Sequence, residues 1–531
     1  MKVISHITRF VYCLLLIFPL IVCAQEPKAD FTCMIVKPVA PDRISSDIYG
    51  LAAPSKDTIM KWKVPLIRWG GNTAECYNWQ LGNAWNTGKD WFFENVAVEQ
   101  NAWQNFLERG ERNGGRVFFN LPLIGYVAKD TFSHSYSIKK YGVQQKHDPS
   151  RPDAGNGLRP DGNPFVGNNL ADSAMVANPE FIPSWVKAMK KQFPKLFSER
   201  RIIFALGNEP MLWHLTHRDV HPEPVSYDEY LSRFVAMAKA VKAAAPEAQI
   251  AGPELWGWPV YFQSAKDLAS HGNDDRRRHR GEDFLPWFLR QMHIQEKQGK
   301  MRLLDYVTIH FYPQAQNVFS SSADLSATKM RLETVKSLWD PSYQDPSWIN
   351  SKVILFPRLK RWVAEAYPGT KIGLTEYNWG GEEDISGALA LADILGILGR
   401  EGIDLACYWT TPQEGSFAAA AYTLYRNADG AGASFGNEKL LVHWKGTCPD
   451  NLSVYAAIDR ESRIVSVIAV NKSALPRTLR LQWQGISVDP GPSFTIDGKE
   501  PNVILTAKLT SPFQLLNVTA RSVIHWRFKL K

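Results

Sequence analysis

Cysteine is scarce in this chain. It has six in 531 residues, and two of them, Cys13 and Cys23, fall in an N-terminal segment expected to be removed. Cys33, Cys76, Cys407 and Cys448 remain. None forms the Cys-x-x-Cys pair that a zinc ribbon or a thioredoxin-like redox centre needs, so neither is expected. Metal-dependent hydrolysis is disfavoured on the same ground, with no cysteine cluster or His-x-x-x-His pair taken to mark a metal site. Charge of one sign is also missing: 61 Lys and Arg stand against 53 Asp and Glu, a formal net charge of +8. A nucleic-acid binder needs a broad basic face. The one dense basic run, Arg276-Arg277-Arg278-His279-Arg280, is hemmed in by Asp274, Asp275, Glu282 and Asp283 and reads as a solvated loop. No nucleic-acid partner is expected. No apolar run reaches the roughly 20 residues of a membrane-spanning helix. Internal repeats and low-complexity tracts are absent, which excludes a solenoid.

The longest apolar stretch, Val11 to Val22, follows Lys2 and Arg9 and is interrupted by Pro19. Val22-Cys23-Ala24 then supplies the small or modest residues that a signal peptidase reads. Residues 1–24 are therefore expected to be a signal peptide cleaved after Ala24. The mature chain would be secreted or periplasmic and not held in a membrane. A lipoprotein anchored at Cys23 is the alternative, with the bulky Val22 counting against it.

Aromatic residues are abundant, at 12% with 19 tryptophans. Tryptophan is a flat, rigid surface that fills a core or stacks on a sugar ring. Eight short apolar runs rich in β-forming residues lie between residues 48 and 412. They are Ile48–Ala52, Leu66–Trp69, Arg116–Leu121, Ile202–Leu206, Gln249–Gly252, Tyr306–Phe311, Lys371–Leu374 and Leu405–Trp409. Segments of helical periodicity separate most of them: Glu99–Arg112, Pro179–Leu196, Tyr227–Ala245, Leu285–Gln298, Ile354–Tyr367 and Ile385–Arg400. Ser226-x-x-Glu229 reads as a capping box. Strands alternating with helices predict a parallel sheet, and eight such units predict a closed (β/α)8 TIM-like barrel over 47–413. Residues 123–177, rich in Gly, Asn, Asp and Pro, form a long insertion of the functional or lid-like kind. From 414 to 531 short alternating strands predict an all-β sandwich without a convincing helix. The 25–46 segment is strand-like and is expected to join it.

Gly207-Asn208-Glu209-Pro210 follows the fourth barrel run directly, and Thr375-Glu376-Tyr377 follows the seventh. Barrel enzymes place reacting groups at the C-terminal ends of their strands, so these two glutamates face each other across the mouth. Glycoside hydrolysis needs such a pair, one carboxylic acid to protonate the leaving oxygen and one carboxylate on the other face of the sugar. Glu382 and Glu383 read as loop carboxylates.

These segments and several others resemble glycoside hydrolase family 44, the endoglucanases and xyloglucanases. The resemblance is carried by Arg68-Trp69-Gly70-Gly71-Asn72-Thr73, Tyr77-Asn78-Trp79, Pro152-Asp153-Ala154-Gly155-Asn156-Gly157 and the two glutamate motifs. It is carried further by Leu303-Leu304-Asp305-Tyr306, His310-Phe311-Tyr312-Pro313, Ser337-Leu338-Trp339-Asp340 and Ser347-Trp348-Ile349. The resemblance implies a retaining mechanism on β-1,4-glucan, with Glu209 as general acid/base and Glu376 as nucleophile. Glu209 must arrive protonated, and Glu376 must stay ionised. Arg68, Asn208, His310 and Tyr312 are the expected polar neighbours of that pair or of the sugar, and Asn72 joins them. Trp79, Trp85, Trp339, Trp348, Trp379 and Trp409 are expected to line the groove, Trp409 as the platform beneath the −1 sugar. Tyr77 and Trp256 are weaker candidates, while Trp62, Trp103, Trp185, Trp287 and Trp362 belong to helical patterns and to the core. No cofactor is expected for catalysis. The family carries a structural calcium in places, and the sequence does not locate one here. The expected partner is a β-glucan polysaccharide, and the chain is expected to act as a monomer. Two alternatives stay open: a retaining barrel hydrolase acting on xylan, mannan or arabinan, and a non-catalytic carbohydrate-binding protein.

Overall fold

A computed structural model describes residues 29–531; the expected signal peptide and Cys23 lie outside them. Strand β1 (Phe31–Val36) precedes the eight barrel strands: β2 (Gly50–Ala52), β3 (Leu66–Trp69), β4 (Arg116–Leu121), β5 (Ile202–Leu206), β6 (Gln249–Leu255), β7 (Tyr306–His310), β8 (Lys371–Tyr377) and β9 (Leu405–Tyr408). β2 to β9 close into a barrel in sequence order, and every neighbouring pair is parallel. The seam between β9 and β2 is tight. A Cβ on Gly50 would meet Ala406 O at 2.5 Å and Cys407 Sγ at 2.8 Å, so only glycine lets the last strand reach the first. Leu66, Phe118, Ile203, Ala205, Ala251, Tyr306, Leu405 and Cys407 fill the barrel as one buried cluster.

Most helices fall where the 3.6-residue periodicity puts them, as at Ala102–Asn113, Tyr227–Ala244 and Leu355–Ala366. Ser226 caps the second of these, its hydroxyl accepting the Glu229 N–H at 3.2 Å. The first run needs a correction at its start. Ile48 and Tyr49 belong to a 3-10 turn (Ser46–Tyr49) capped by Ser45, so the strand begins only at Gly50.

A second correction concerns the segment after 413. A helix forms at Phe417–Arg426, capped by Ser416 through the Ala419 N–H at 3.1 Å. It packs on Ile385–Glu401 and completes the ring of barrel helices, so a boundary at 413/414 cuts the barrel short. Its alanine-rich sequence is buried on nearly every side, which erases the amphipathic period by which a helix is read. Ile385–Glu401 is apolar all round for a related reason: it packs on the barrel helices and on the β-sheets beyond.

β1 leaves the barrel altogether. It pairs antiparallel with Glu438–Trp444 and parallel with Arg477–Gln484, inside a ten-stranded sheet. That sheet curls into a sandwich around its own core, which includes Cys33, Ile35, Val467, Leu481 and Trp526. The 123–177 insertion is tied at its base by a two-stranded ladder, Tyr126–Ala128 with Ala174–Val176. Within it, Asp153 accepts from Ser137 Oγ at 2.8 Å and from the Lys139 N–H at 2.7 Å, which holds the Gly/Asn-rich turn in place.

Candidate active site

β5 delivers Asn208 and Glu209 to the barrel mouth through a turn in the left-handed region, with Gly207 at φ +81° and Glu209 at φ +45°. A non-glycine residue in that region costs on the order of 1–3 kcal/mol and persists only where its surroundings over-determine it. Here they do. The Glu209 N–H donates to Glu254 O at 3.1 Å, and the Asn208 N–H to Glu75 Oε2 at 2.6 Å. The other Glu75 oxygen accepts from Leu123 and Ile124 N–H at 2.6 and 2.7 Å. Glu75 thus clips together the loops after β3, β4 and β5. Burial pushes its carboxyl up to about 7, against the pull of those three N–H groups.

Across the mouth, Glu376 near the end of β8 is held by two donors. Arg68 Nη1 reaches Oε1 at 2.7 Å, and the Tyr312 hydroxyl reaches Oε2 at 2.9 Å. Arg68 also donates through Nη2 to Asn208 Oδ1 and to Glu254 Oε2, both at 3.1 Å. Burial opposes a guanidinium charge, but Glu376 and Glu254 outweigh it and raise the Arg68 pKa. His310 at the end of β7 stands between three carboxyl groups. Its Nδ1 lies 2.8 Å from Glu209 Oε1 and 3.5 Å from Glu376 Oε2, and its Nε2 lies 3.2 Å from Glu254 Oε2. Burial disfavours the imidazolium, yet the Glu376 charge and the hydrogen bonds to Glu209 and Glu254 raise its pKa to about 10. Its Nε2 also lies 3.5 Å from Arg68 Nη2.

Burial raises the pKa of Glu209, and the Glu376 charge adds to the rise, while His310 and Arg68 oppose it. That is the environment of a carboxylic acid kept protonated to serve as a general acid. Glu209 and Glu376 keep 15% and 7% of their side-chain surface exposed, against none for Glu254, Arg68 and His310. Only the first two can touch a sugar. One oxygen of each, with a His310 nitrogen, lie within 4.8 Å of one another. This is also the one trio of metal-ligand type among the described residues. Each member already has a hydrogen-bond partner within the network, Glu376 with Arg68 and Tyr312 and Glu209 with His310, which suits an acid/base pair. No second trio of this kind occurs among the described residues.

The other expected site residues separate into groups. Trp409 lies over the Arg68 guanidinium, 5.5 Å from ring centroid to Cζ. Gly71 passes beneath it with φ +94°, where a Cβ would come within 2.7 Å of the ring. Asn72 sits one layer out, accepting from Asn208 Nδ2 at 3.3 Å and donating to Asp90 at 3.1 Å. Trp348 is 59% exposed on the loop after β7, its Nε1 donating to Gln314 at 3.1 Å. Trp79 is half-buried and stacked on Trp185, and Trp85 is half-buried against Trp69.

Two expectations are overturned. Trp379 is 2% exposed and donates to Thr334 Oγ1 at 3.1 Å, which makes it core. Trp339 lies under Arg400, 4.2 Å from its guanidinium, and lines a cleft of about 570 Å³ between barrel and sandwich, shared with Asp393, Trp444 and Tyr455. It follows β7 in sequence, but its loop turns outward. Tyr77, a weaker groove candidate, is fully buried. A His-x-x-x-His spacing does occur, at His217 and His221. The two rings face different partners: His217 meets Cys76 Sγ at 3.6 Å and His221 pairs with Glu229 at 2.9 Å, so they form no joint metal site. Glu75 and Glu254 escape sequence reading. Their one signal is a carboxylate inside an otherwise buried run, Ala74-Glu75-Cys76-Tyr77 and Ala251-Gly252-Pro253-Glu254-Leu255.

A closed eight-stranded barrel with two carboxyl groups facing across its mouth defines a class, the glycoside hydrolases that cleave with a pair of acids. The model of glycoside hydrolase family 44 matches residues 84–315. Endoglucanase A of Paenibacillus lautus is 32% identical over 465 residues, which are 81% of this chain and 62% of that protein; the chain therefore spans about three fifths of its length. Among solved structures, the bifunctional glucanase-xylanase CelM2 from a metagenome library superposes with a TM-score of 0.90 at 33% identity, over 94% of this chain and 99% of that one. The Paenibacillus polymyxa family 44 xyloglucanase, solved with xyloglucan, superposes with a TM-score of 0.78 at 26% identity over the same shares. The chain belongs to glycoside hydrolase family 44.

Proposed function

We propose that this chain is an exported, retaining endo-β-1,4-glucanase acting on xyloglucan and soluble β-glucans by double displacement. The observation that carries this is the approach of one Glu209 oxygen to one Glu376 oxygen within 4.8 Å. Retaining enzymes hold their carboxyl groups about 5–5.5 Å apart, and inverting ones leave about 6.5–9.5 Å for a water. In the first step Glu376 attacks the anomeric carbon while Glu209 gives its proton to the departing glycosidic oxygen. A glycosyl ester forms on Glu376. In the second step Glu209, now ionised and paired with His310, takes a proton from water, which displaces Glu376 and restores the original anomeric configuration. Arg68 and Tyr312 neutralise the nucleophile before attack and stabilise it as it leaves. Asn208 is fixed by Glu75 and Arg68, with its amide nitrogen 3.3 Å from Asn72 Oδ1, and is the candidate to bond the sugar 2-hydroxyl.

The P. polymyxa xyloglucanase and the P. lautus endoglucanase support the substrate class. CelM2 supports a second reading, in which xylan is cut as well. Proton NMR of the first products from a β-glucan tests the mechanism: the β-anomer appears first, and an initial α-anomer refutes it. A panel of pure xyloglucan, carboxymethylcellulose, xylan and mannan tests the substrate.

A further inference from the structure

Glu254 has no part in the two-glutamate mechanism, yet it is a fully enclosed carboxylate at the barrel mouth. Its side chain is 0% exposed, and its backbone sits in the left-handed region at φ +51°. Oε2 accepts from Arg68 Nη2 at 3.1 Å and from His310 Nε2 at 3.2 Å. Oε1 accepts from the Thr375 hydroxyl at 2.8 Å, the residue before Glu376. Its carbonyl accepts the Glu209 N–H at 3.1 Å. One residue therefore touches the support of both reacting glutamates.

We propose that Glu254 is a positioning residue of the reaction, a fixed buried anion that keeps His310 doubly protonated and Arg68 in place while the negative charge passes between Glu376 and Glu209. This rests on the double-displacement reading. Before reaction the two cations Arg68 and His310 face two anions, Glu254 and Glu376, with Glu209 protonated. In the glycosyl-enzyme Glu376 is a neutral ester and Glu209 is the anion, so the count is again two against two. Without Glu254 both states carry an uncompensated buried cation, and the least costly relief is loss of the His310 proton. Loss of the Nδ1 proton would leave Glu209 without its donor.

The other ionisable groups facing the cluster do not replace this anion. Burial raises the pKa values of Tyr312, Tyr261, Tyr230 and Cys407, so each stays neutral. Glu75 turns its oxygens to the N–H groups of Leu123, Ile124 and Asn208. In agreement, burial alone would raise the Glu254 carboxyl, but His310 and Arg68 hold it down at about 2.

The test is Glu254→Gln in the full chain. An amide can present its oxygen to Arg68 and His310 and its nitrogen to Thr375, whose hydroxyl has Ile309 O within 3.3 Å as a second acceptor. Shape and hydrogen bonds are kept and only charge is lost. Long-range 15N–1H NMR of the imidazoles should show His310 doubly protonated at neutral pH in the wild type and neutral in the variant. The alkaline limb of kcat/KM should move toward acid by about one unit or more. At neutral pH kcat should fall at least about tenfold, as expected when a general acid is impaired, with KM changed far less. Glu254→Asp, which keeps the charge, should recover the alkaline limb in part. A neutral His310 in the wild type overturns the proposal without any variant. So does a folded Glu254→Gln protein whose kcat falls equally at every pH. Failure of the underlying mechanism would show separately, as a Glu376→Gly protein that azide does not rescue, whatever His310 reports.

Discussion

Arg68→Met is the most informative single change outside the two glutamates. Methionine approximates the length of the arginine stem and removes the charge. Three hydrogen bonds are lost, to Glu376 at 2.7 Å and to Glu254 and Asn208 at 3.1 Å, and two of the acceptors are buried carboxylates. A hydrogen bond to a charged group contributes roughly 1.5–3 kcal/mol. These cannot simply be added, because His310 remains to neutralise one anion. The measured penalty for removing one partner of a buried ion pair, about 3–5 kcal/mol, is the better guide; we expect about 4. Chemical denaturation followed by tryptophan fluorescence should show the midpoint fall accordingly. The effect on rate has a sign. With its guanidinium gone, Glu376 keeps only the Tyr312 hydroxyl and the more distant His310 as partners, so kcat/KM should fall by at least about tenfold. Arg68→Lys should restore a point charge but not the fork that serves three acceptors, and so recover part of each effect. A variant with an unchanged midpoint and an unchanged kcat/KM would refute the role assigned to Arg68.

Glu376→Gly should abolish turnover and be rescued by azide on an activated substrate, giving the α-glycosyl azide, whereas Glu209→Ala with azide should give the β-product; product NMR decides, and reversed anomers would reverse the roles. The charge network should make stability depend on pH from both sides. Glu254 goes from 4.5 to about 2 on folding, so its contribution is full above 4.5 and is lost as pH falls through 2. His310 goes from 6.5 to about 10, so its contribution is full below 6.5 and is lost as pH rises through 10. Melting temperature should therefore decline above pH 6.5 less steeply in His310→Gln than in the wild type. Trp379→Ala should cost about 3–5 kcal/mol of stability with KM for xyloglucan unchanged once folded. Trp348→Ala should do the reverse, raising KM several-fold at unchanged stability, as read by denaturation and initial rates.

The barrel was legible because its strands are short, largely buried runs separated mostly by amphipathic helices, and because Glu209 and Glu376 directly follow two of those runs. Even the ends are near: Ile202–Leu206 is the same strand in sequence and structure, and Tyr227–Ala244 falls one residue short of its periodic run. What failed did so where the local pattern no longer reports the environment. Phe417–Arg426 is buried on nearly every side and loses its period. Trp339 and Trp379 occupy loops beyond β7 and β8, as groove tryptophans would, yet one turns into the interdomain cleft and the other into the core. Position after a strand fixes the end of the barrel a residue lies at, but not whether its ring faces the substrate.

Glu75 and Glu254 mark a different limit. Their partners stand at distant points of the chain: Glu75 binds the N–H of Asn208, 133 positions on, and Glu254 binds Arg68, 186 positions away. A catalytic carboxylate announces itself by its motif, but a supporting one is defined only by the groups the closed barrel brings around it. A buried carboxylate without donors would cost several kcal/mol. Glu75 is stabilised by three backbone N–H groups, and Glu254 by Arg68, His310 and Thr375. Those same groups position Asn208, Glu209 and Glu376. Substituting either supporting glutamate should therefore perturb geometry and charge at residues it does not resemble in sequence context. That makes Glu75→Gln a useful contrast to Glu254→Gln: it touches Asn208 and the loops but neither cation, so it should lower kcat without moving the His310 signals.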